Sequence, residues 1–591
     1  MEKNILAVAV SLALVGSVAA ADGNPVVITS DNSTYTQAKD ADAHTAFQNQ
    51  SIQGATGAET LTIEGSYTEG IFAASTDVTL DNLSGLSLHI KEIEDKTTGI
   101  NGLRAANGNT LKVNVGTLSL SASGKQTKPK IQAPVLIHAY GGNVELDVSG
   151  NVTMEADSGN AIMVQHTNSG GTTHEAKLTM KAGGDIDIRT GNATSIMVAT
   201  LQDNTEGGSA KGAHLQMSGR NISIHSQGQV GLYVSNFDSN WGSGRGPSNA
   251  QLHAQEEMSI YGGFFGMYSN SPKAETTLEA GHALSVEGGS SAVFVKGADG
   301  VQTDQKVTFR APEVSIVSHG NTNPIKETVA ALDIDEHTNV SFEGVDGGAT
   351  NVTILSENDK NAVSIGTNGT LTATNATLLV EQGNVAAADG NMALTNSTVE
   401  LGNDVTMDLG TLTGEGNTIV FNSTKAGAVK IATANNDVTV LASGRANDQF
   451  VSAAQLLSAM EGEEGASDGI VQVGGTGKTT LGAEAGAVSG AWALNEDGQI
   501  VEEENAGLSA VREFSTATFA QWRLENNHLS QRLGDLRADL GKSGAWARVY
   551  GGESKITDGV DVKLQTTSVQ VGTDTTVSGN WIVGGAFTYT N

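Results

Sequence analysis

The sequence predicts an all-β chain: a right-handed parallel β-helix, or β-solenoid, with three strands per coil, then a helical linker, then the antiparallel strands of a barrel. Three observations lead there. Short segments of alternating apolar residues recur at similar intervals along the chain, each recurrence carries two companion strands in a constant order, and glycine is in excess, 73 of 591 residues, with no cysteine and aromatics at 4%. Glycine, Asn, Thr and Ser at this level imply many turns, while 38% hydrophobic residues suffice to bury a core.

The elements follow in order. Lys3 precedes an apolar run, Ile5 to Ala21, broken by Ser11 and Gly16, and small residues from Val18 to Ala21 lead into Asp22. This is the layout of a signal peptide, expected over 1–21, and it falls short of the ~20 apolar residues of a spanning helix. The mature chain is therefore expected to be exported. Without cysteine it holds no disulfide, a composition that suits passage across a second barrier in an unfolded state. Its net charge of −32 repels nucleic acid and anionic membrane surfaces, which excludes nucleic-acid partners.

After an N-terminal cap expected over 22–75, the repeats occupy 76–440. "GLSLHI" at Leu86 recurs as "TLSLSA" at Leu118, "NVTMEA" at Val152, "DIDIRT" at Ile186, "NISIHS" at Ile222, "EMSIYG" at Met258, "ALSVEG" at Leu284 and "EVSIVS" at Val314. A strand such as "VELDV" or "KLTMKA" precedes each, and a more apolar one such as "VLIHAY", "AIMVQH" or "GLYVSN" follows. One coil cannot bury its apolar faces alone, so coils must stack and pair their backbones with the coils above and below. The intervals vary from 26 to 36 residues, which loops at the turns absorb. Further strands ("NVTIL", "AVSIG", "TLTATNATLLV", "STVEL", "TIVFN") extend the array to about residue 480, or about fourteen coils at ~4.8 Å each.

Several motifs compete with bland readings. "VGGTGKTTL" at 473–481 resembles a phosphate loop, but Gln472 stands where the first glycine belongs, and a solenoid turn explains it. The sequons at Asn151, Asn192, Asn351 and Asn375 read as turn and strand-end residues. The pairs Asp185/Asp187 and Asp333/Asp335 sit two apart, a spacing that puts both carboxylates on one face of a strand, as a β-helical polysaccharide hydrolase or lyase would need. Solvated carboxylates give the same pattern. The insertion 236–249 carries Phe237, Trp241 and Arg245, residue types that anchor recognition, or that fold back as a cover. Lys125, Lys128 and Lys130 read as a solvated loop. No motif for a nucleophile, zinc or calcium appears, so no metal or other cofactor is expected.

Over 441–502 a C-terminal cap is expected, with a short helix through Phe450, Leu456, Leu457 and Met460 that stops at the glycines around Glu463, followed by hairpin-like strands in "GAVSGAWALNEDGQIV". From Asn505 to Leu540 the apolar residues Leu508, Val511, Phe514, Phe519, Trp522, Leu529, Leu533, Leu536 and Leu540 predict a long helix, placed at 503–541. Strands follow from 542. In "GNWIVGGAFTYT" Trp581, Val583, Phe587 and Tyr589 share one face and Gly584, Ala586 and Thr588 the other, the alternation of a strand between lipid and lumen.

The run "QWRLENNHLSQRLGDLRADLGKSGAWARVYGG" closely resembles the junction region of type V autotransporters of Gram-negative bacteria. Detailed matching covers about 505–591, and the architecture as a whole is similar. The resemblance implies a β-helical passenger with an autochaperone-like cap, a helix that threads a barrel lumen through pore contacts by Arg523, Arg532, Asp535 and Arg537, and a twelve-stranded outer-membrane barrel. Partners implied are outer-membrane lipid, the barrel-assembly machinery and periplasmic chaperones. The 49 residues from Ser543 to Asn591 supply about three strands, so the chain is expected to be a fragment holding a truncated barrel. Asn526 and Asn527 resemble the Asn-Asn pair where some members cleave themselves, one residue further from Arg532 than in that pattern.

The expected function is display of the passenger at the cell surface for adhesin-like binding to a host or sister-cell ligand, or for self-association. The alternative is a displayed carbohydrate-active enzyme using the outward carboxylates.

Overall fold

The computed structural model describes residues 25–31, 33–36, 45–65, 69–91, 101–123, 134–169, 172–200, 212–236, 247–271, 274–297, 305–320, 330–357, 361–444, 453–462, 469–483, 491–494, 500–503, 543–556, 562–578 and 581–590. They divide into two compact units, Met1–Ala446 with Gln455–Leu481, and Asn447–Ala454 with Gly482–Asn591.

The first unit is one sheet wound through many coils, its described strands pairing parallel except for a hairpin at Thr167–Ser169 and Thr172–His174. Its middle strands stack in the order the repeats predict. Leu118 pairs with Val152, Val152 with Ile186, Ile186 with Ile222, Ile222 with Met258, Met258 with Leu284 and Leu284 with Val314. The same column reaches back through Leu86 to Leu61 and on through Val352, Leu378, Val399 and Ile419 to Val440. No residue of this column is more than 3% exposed. Period-2 alternation puts one side of every strand inside the coil, and stacking gives each inward side chain a partner above and below.

First and third strands form parallel columns of their own, for example Leu146–Met180–Met217–Leu252–Leu278–Phe309–Phe342 and Ile137–Ile162–Ile196–Leu232–Met267–Val293. The turns from first to middle strand stay short, as at Val148 to Val152 and Ala182 to Ile186. Asparagines there serve the neighbouring coil: Asn151 Oδ1 accepts the Asp185 N–H at 3.0 Å and Asn221 Oδ1 the Glu257 N–H at 3.1 Å. Each satisfies a backbone donor that a tight turn would otherwise strand.

Parallel pairing begins ahead of the expected repeats, inside the expected N-terminal cap, and continues into the stretch up to about residue 480 where the array was expected to end. Val26–Ile28 already pairs with Ile52–Gly54, and Val471–Gly475 with Val429–Ala434. In several coils two strands fuse, as in Val78–Ile90, Thr110–Ala122 and Asn384–Thr395. Toward the end of the stack the coils shorten: Leu378, Val399, Ile419 and Val440 pair in succession at intervals of only 20 or 21 residues. The helix Ala453–Glu461 interrupts the strands where one was expected. Leu456 and Met460 are buried, and Gly462, at φ 75°, ends the helix in the left-handed conformation glycine tolerates.

In the second unit Ala491–Leu494 and Ile500–Glu503 form an antiparallel hairpin. Gly544–Ile556, Val562–Ser578 and Trp581–Thr590 form a three-stranded antiparallel sheet in which Val549, Val569 and Tyr589 lie in one cross-strand row and Arg548, Gln570 and Thr588 in the next. The expected signal peptide (1–21) and 504–541 of the expected linker helix lie outside the described residues, and Glu503, where that helix was expected to start, closes a strand.

Candidate functional site

The stack presents outward rows as regular as its core. On the middle strands Thr62, Ser87, Ser119, Thr153, Asp187, Ser223, Ser259, Ser285, Ser315 and Thr353 follow one another in register, a ladder of small hydroxyls with one carboxylate. Asp187 is held by Arg189, whose Nη2 lies 3.0 Å from Oδ2. Asp185 sits in the turn just before the strand and receives both Nε (2.9 Å) and Nη2 (2.6 Å) of Arg220 together with Asn221 Nδ2 (2.9 Å). These donors, the Arg220 hydrogen bonds first, hold the Asp185 carboxyl below its ordinary range. A carboxylate so stabilised in its charged form is poorly suited to donate a proton as a glycosidase acid must. Asp333 lies on Leu332–Ile334. Asp335 follows it in a turn, where Oδ1 accepts the Glu336 N–H at 2.9 Å and the backbone carbonyl accepts the Thr338 hydroxyl at 2.8 Å.

The third strands carry a different row. Phe72, Arg104, His138, Met163, Met197, Tyr233, Tyr268, Phe294 and Asp333 are successive register partners on its outward side. At one end the Arg104 guanidinium pairs with Glu69 and lies over the rings of Phe72 (4.9 Å) and Tyr140 (5.0 Å). His138 meets Asn101 Oδ1 through Nδ1 at 2.9 Å. Burial, then the Arg104 charge, pushes its imidazole down to about 3, so it is neutral across the physiological range. Burial also raises the Glu69 carboxyl, against the opposing pull of Arg104. At the other end Tyr233 stacks on Tyr268 at 5.1 Å, and Tyr268 meets Phe294 at 5.3 Å. This row was half visible in the sequence, where the third strand of each triplet lacks polar alternation; its cross-coil partnerships were not.

On the first strands Arg310 bridges two coils, with Nη1 2.9 Å from Glu279 Oε2 and Nη2 2.8 Å from Glu343 Oε2, and His253 Nδ1 lies 3.1 Å from Glu279 Oε1. Beside them a 3-10 turn, Val345–Gly347, walls an open cleft of about 450 Å³ reaching Thr374 and Asn375. Of the charged groups that line the cleft, Arg310, Glu279 and Glu343 are paired with one another.

The phosphate-loop lookalike proves to be a turn of the stack: Val471–Gly475 and Thr479–Ala483 are strands, and a Cβ on Gly475 or Gly477 would collide with the Ala434 or Asn436 carbonyl of the preceding coil. Its glycines allow that close approach. Phe237, Trp241 and Arg245 lie outside the described residues, as do Arg523, Asn526, Asn527, Arg532, Asp535 and Arg537. Among the described residues no group of three His, Asp or Glu side chains is arranged to hold a metal ion.

No family model matches the chain, and no solved structure matches it. The outward rows are long and repetitive, and within them Asp185, Asp187, Glu279 and Glu343 are each paired with an arginine.

Proposed function

We propose that the chain is a type V autotransporter whose β-helix is displayed on the outer surface of a Gram-negative bacterium, where its outward rows make adhesin-like contact with host or sister cells. The reading rests above all on the three-stranded antiparallel sheet. Val549, Val569, Val571, Val583, Phe587 and Tyr589 stand 42% to 74% exposed on one side of it, with Trp581 at 77%. On the opposite side Ser568, Gln570 and Asp574 are buried, and Gln570 Nε2 donates to Thr588 Oγ1 at 2.9 Å. A face of this kind is unfavourable in water, at about 1.5–3 kcal/mol for each large apolar side chain left exposed, and favourable against lipid. Among the described residues no helix is long and apolar enough to cross a membrane; in this reading the strands do the crossing.

The test is topological. Cells producing the full reading frame are treated intact with proteinase K and stained with antibody against the solenoid. Surface staining that the protease removes, while a periplasmic marker survives, is the expected result. A solenoid protected in intact cells and digested only after lysis would overturn the reading.

A further inference from the structure

His319 occupies an unusual position in the stack. It directly follows the strand Glu313–Ser318. Its Nε2 lies 3.1 Å from Glu287 Oε2, on the coil before, and its Nδ1 lies 3.2 Å from Glu357 Oε2, on the coil after. A neutral imidazole carries one N–H and can donate to only one of these carboxylates; its other nitrogen would turn a lone pair toward an anion. Both contacts are favourable together only when the ring is an imidazolium. The backbone ties the same three coils at the same place, with the His319 N–H donating to Gly288 O at 2.9 Å and the Glu357 N–H to Ser318 O at 3.0 Å.

We propose that His319 is a proton-gated staple, which as an imidazolium locks the coils of Glu287, His319 and Glu357 together and on losing its proton releases one of the two carboxylates. The surroundings agree with this. Burial alone would lower the His319 pKa, yet hydrogen bonds from its ring to Glu287 and Glu357, with the charges of those carboxylates, outweigh it and hold the pKa above the ordinary histidine value. Among the described residues the triad is also faced by the Ser285 hydroxyl, which donates to Glu287 Oε1 at 3.2 Å, and by the Tyr261 ring, 6.3 Å from the imidazole and stacked at 4.5 Å on His225. Because the folded-state pKa is raised, the stabilisation is fully present below the unfolded histidine pKa of about 6.5 and disappears as pH rises through the folded value. The triad carries one net negative charge when stapled and two when open. The outward edge at His319 is therefore firmer, and less negative, in mildly acid surroundings.

The test uses the full chain in detergent micelles with selectively 15N-labelled histidine. The resonance pair missing from His319→Gln should report two protonated ring nitrogens at a pH where solvent-exposed histidines are already neutral. Its midpoint should fall in Glu287→Gln and in Glu357→Gln, and further in the double variant. Hydrogen exchange supplies a second readout that survives any general loss of stability. The ratio of protection between the parent chain and His319→Gln, at the amides of His319 and Glu357, should be about two- to five-fold at pH 6 and fall to about one at pH 9. A His319 that titrates with the exposed histidines, a midpoint that neither carboxylate variant moves, or a protection ratio constant with pH would each overturn the proposal.

Discussion

Phe342→Ala tests the stacking directly. Phe342 is fully buried, its ring stacks on Phe309 at 5.4 Å with planes 23° apart, and the coil on its other side offers only Ala373 at the same register. Loss of the buried ring costs about 2–3 kcal/mol in transfer, and the lost ring pairing and the cavity add about 1–2 kcal/mol, so the expected total is about 4 kcal/mol. Ala373 cannot fill the gap, and backbone pairing on both sides keeps the coils from closing over it. Solenoid contacts are between nearest neighbours, so the loss should be local. Hydrogen exchange read by mass spectrometry should show protection at Asn339–Glu343 and the strands paired with it falling by roughly three orders of magnitude, while Ile186–Thr190, many coils away, keeps its parent rate. Phe309→Ala with Phe342→Ala should cost less than the sum of the two, by about 0.5–1.5 kcal/mol. A loss below about 1 kcal/mol, or one spread evenly along the stack, would refute the nearest-neighbour account.

Three further outcomes are expected. Gly477→Ala, whose new Cβ would meet the Asn436 carbonyl, should lower the melting temperature clearly, whereas Gly347→Ala, at φ 75° but in open space, should cost only about 1 kcal/mol. His138 has a depressed folded pKa, so its contribution is complete above about pH 6.5 and is lost as pH falls toward about 3; His138→Met, which copies its register partner Met163, should flatten the stability profile over that window as followed by urea unfolding. Val571→Arg and Phe587→Arg, on the exposed side of the antiparallel sheet, should each reduce outer-membrane insertion by about 2–4 kcal/mol in a lipid-partition assay, while Thr588→Ser, on the other side, should leave it unchanged.

How much of this was legible in the residues depends on how far apart the interacting groups lie. The inward column from Leu118 to Val314 could be read because each strand announces its buried side within five residues, and every triplet repeats the announcement. The helix at Ala453–Glu461 and the hairpin at Ala491–Leu494 and Ile500–Glu503 were legible for the same local reason. Fused strands such as Val78–Ile90 were not, since whether a chain turns or runs on between two columns depends on the coil beneath it. The paired carboxylates show the limit most plainly. In the sequence Asp185 and Asp187 form a pair of their own, but in the fold each belongs to an arginine, and Arg220, which holds Asp185, lies 35 residues away.

The sequence by itself determined which side of each strand is buried and the order in which the coils stack, because alternation and repetition are short-range properties of the chain; it did not determine the number of strands per coil, which falls from three to two where the coils shorten. The tertiary structure alone decided what stands beside what on the outside. Arg104 beside Glu69, Tyr233 on Tyr268 and His319 between Glu287 and Glu357 are contacts across coils, separated by insertions of unequal length. Register across such gaps is set by the summed packing and hydrogen bonding of whole coils, and no local pattern encodes it.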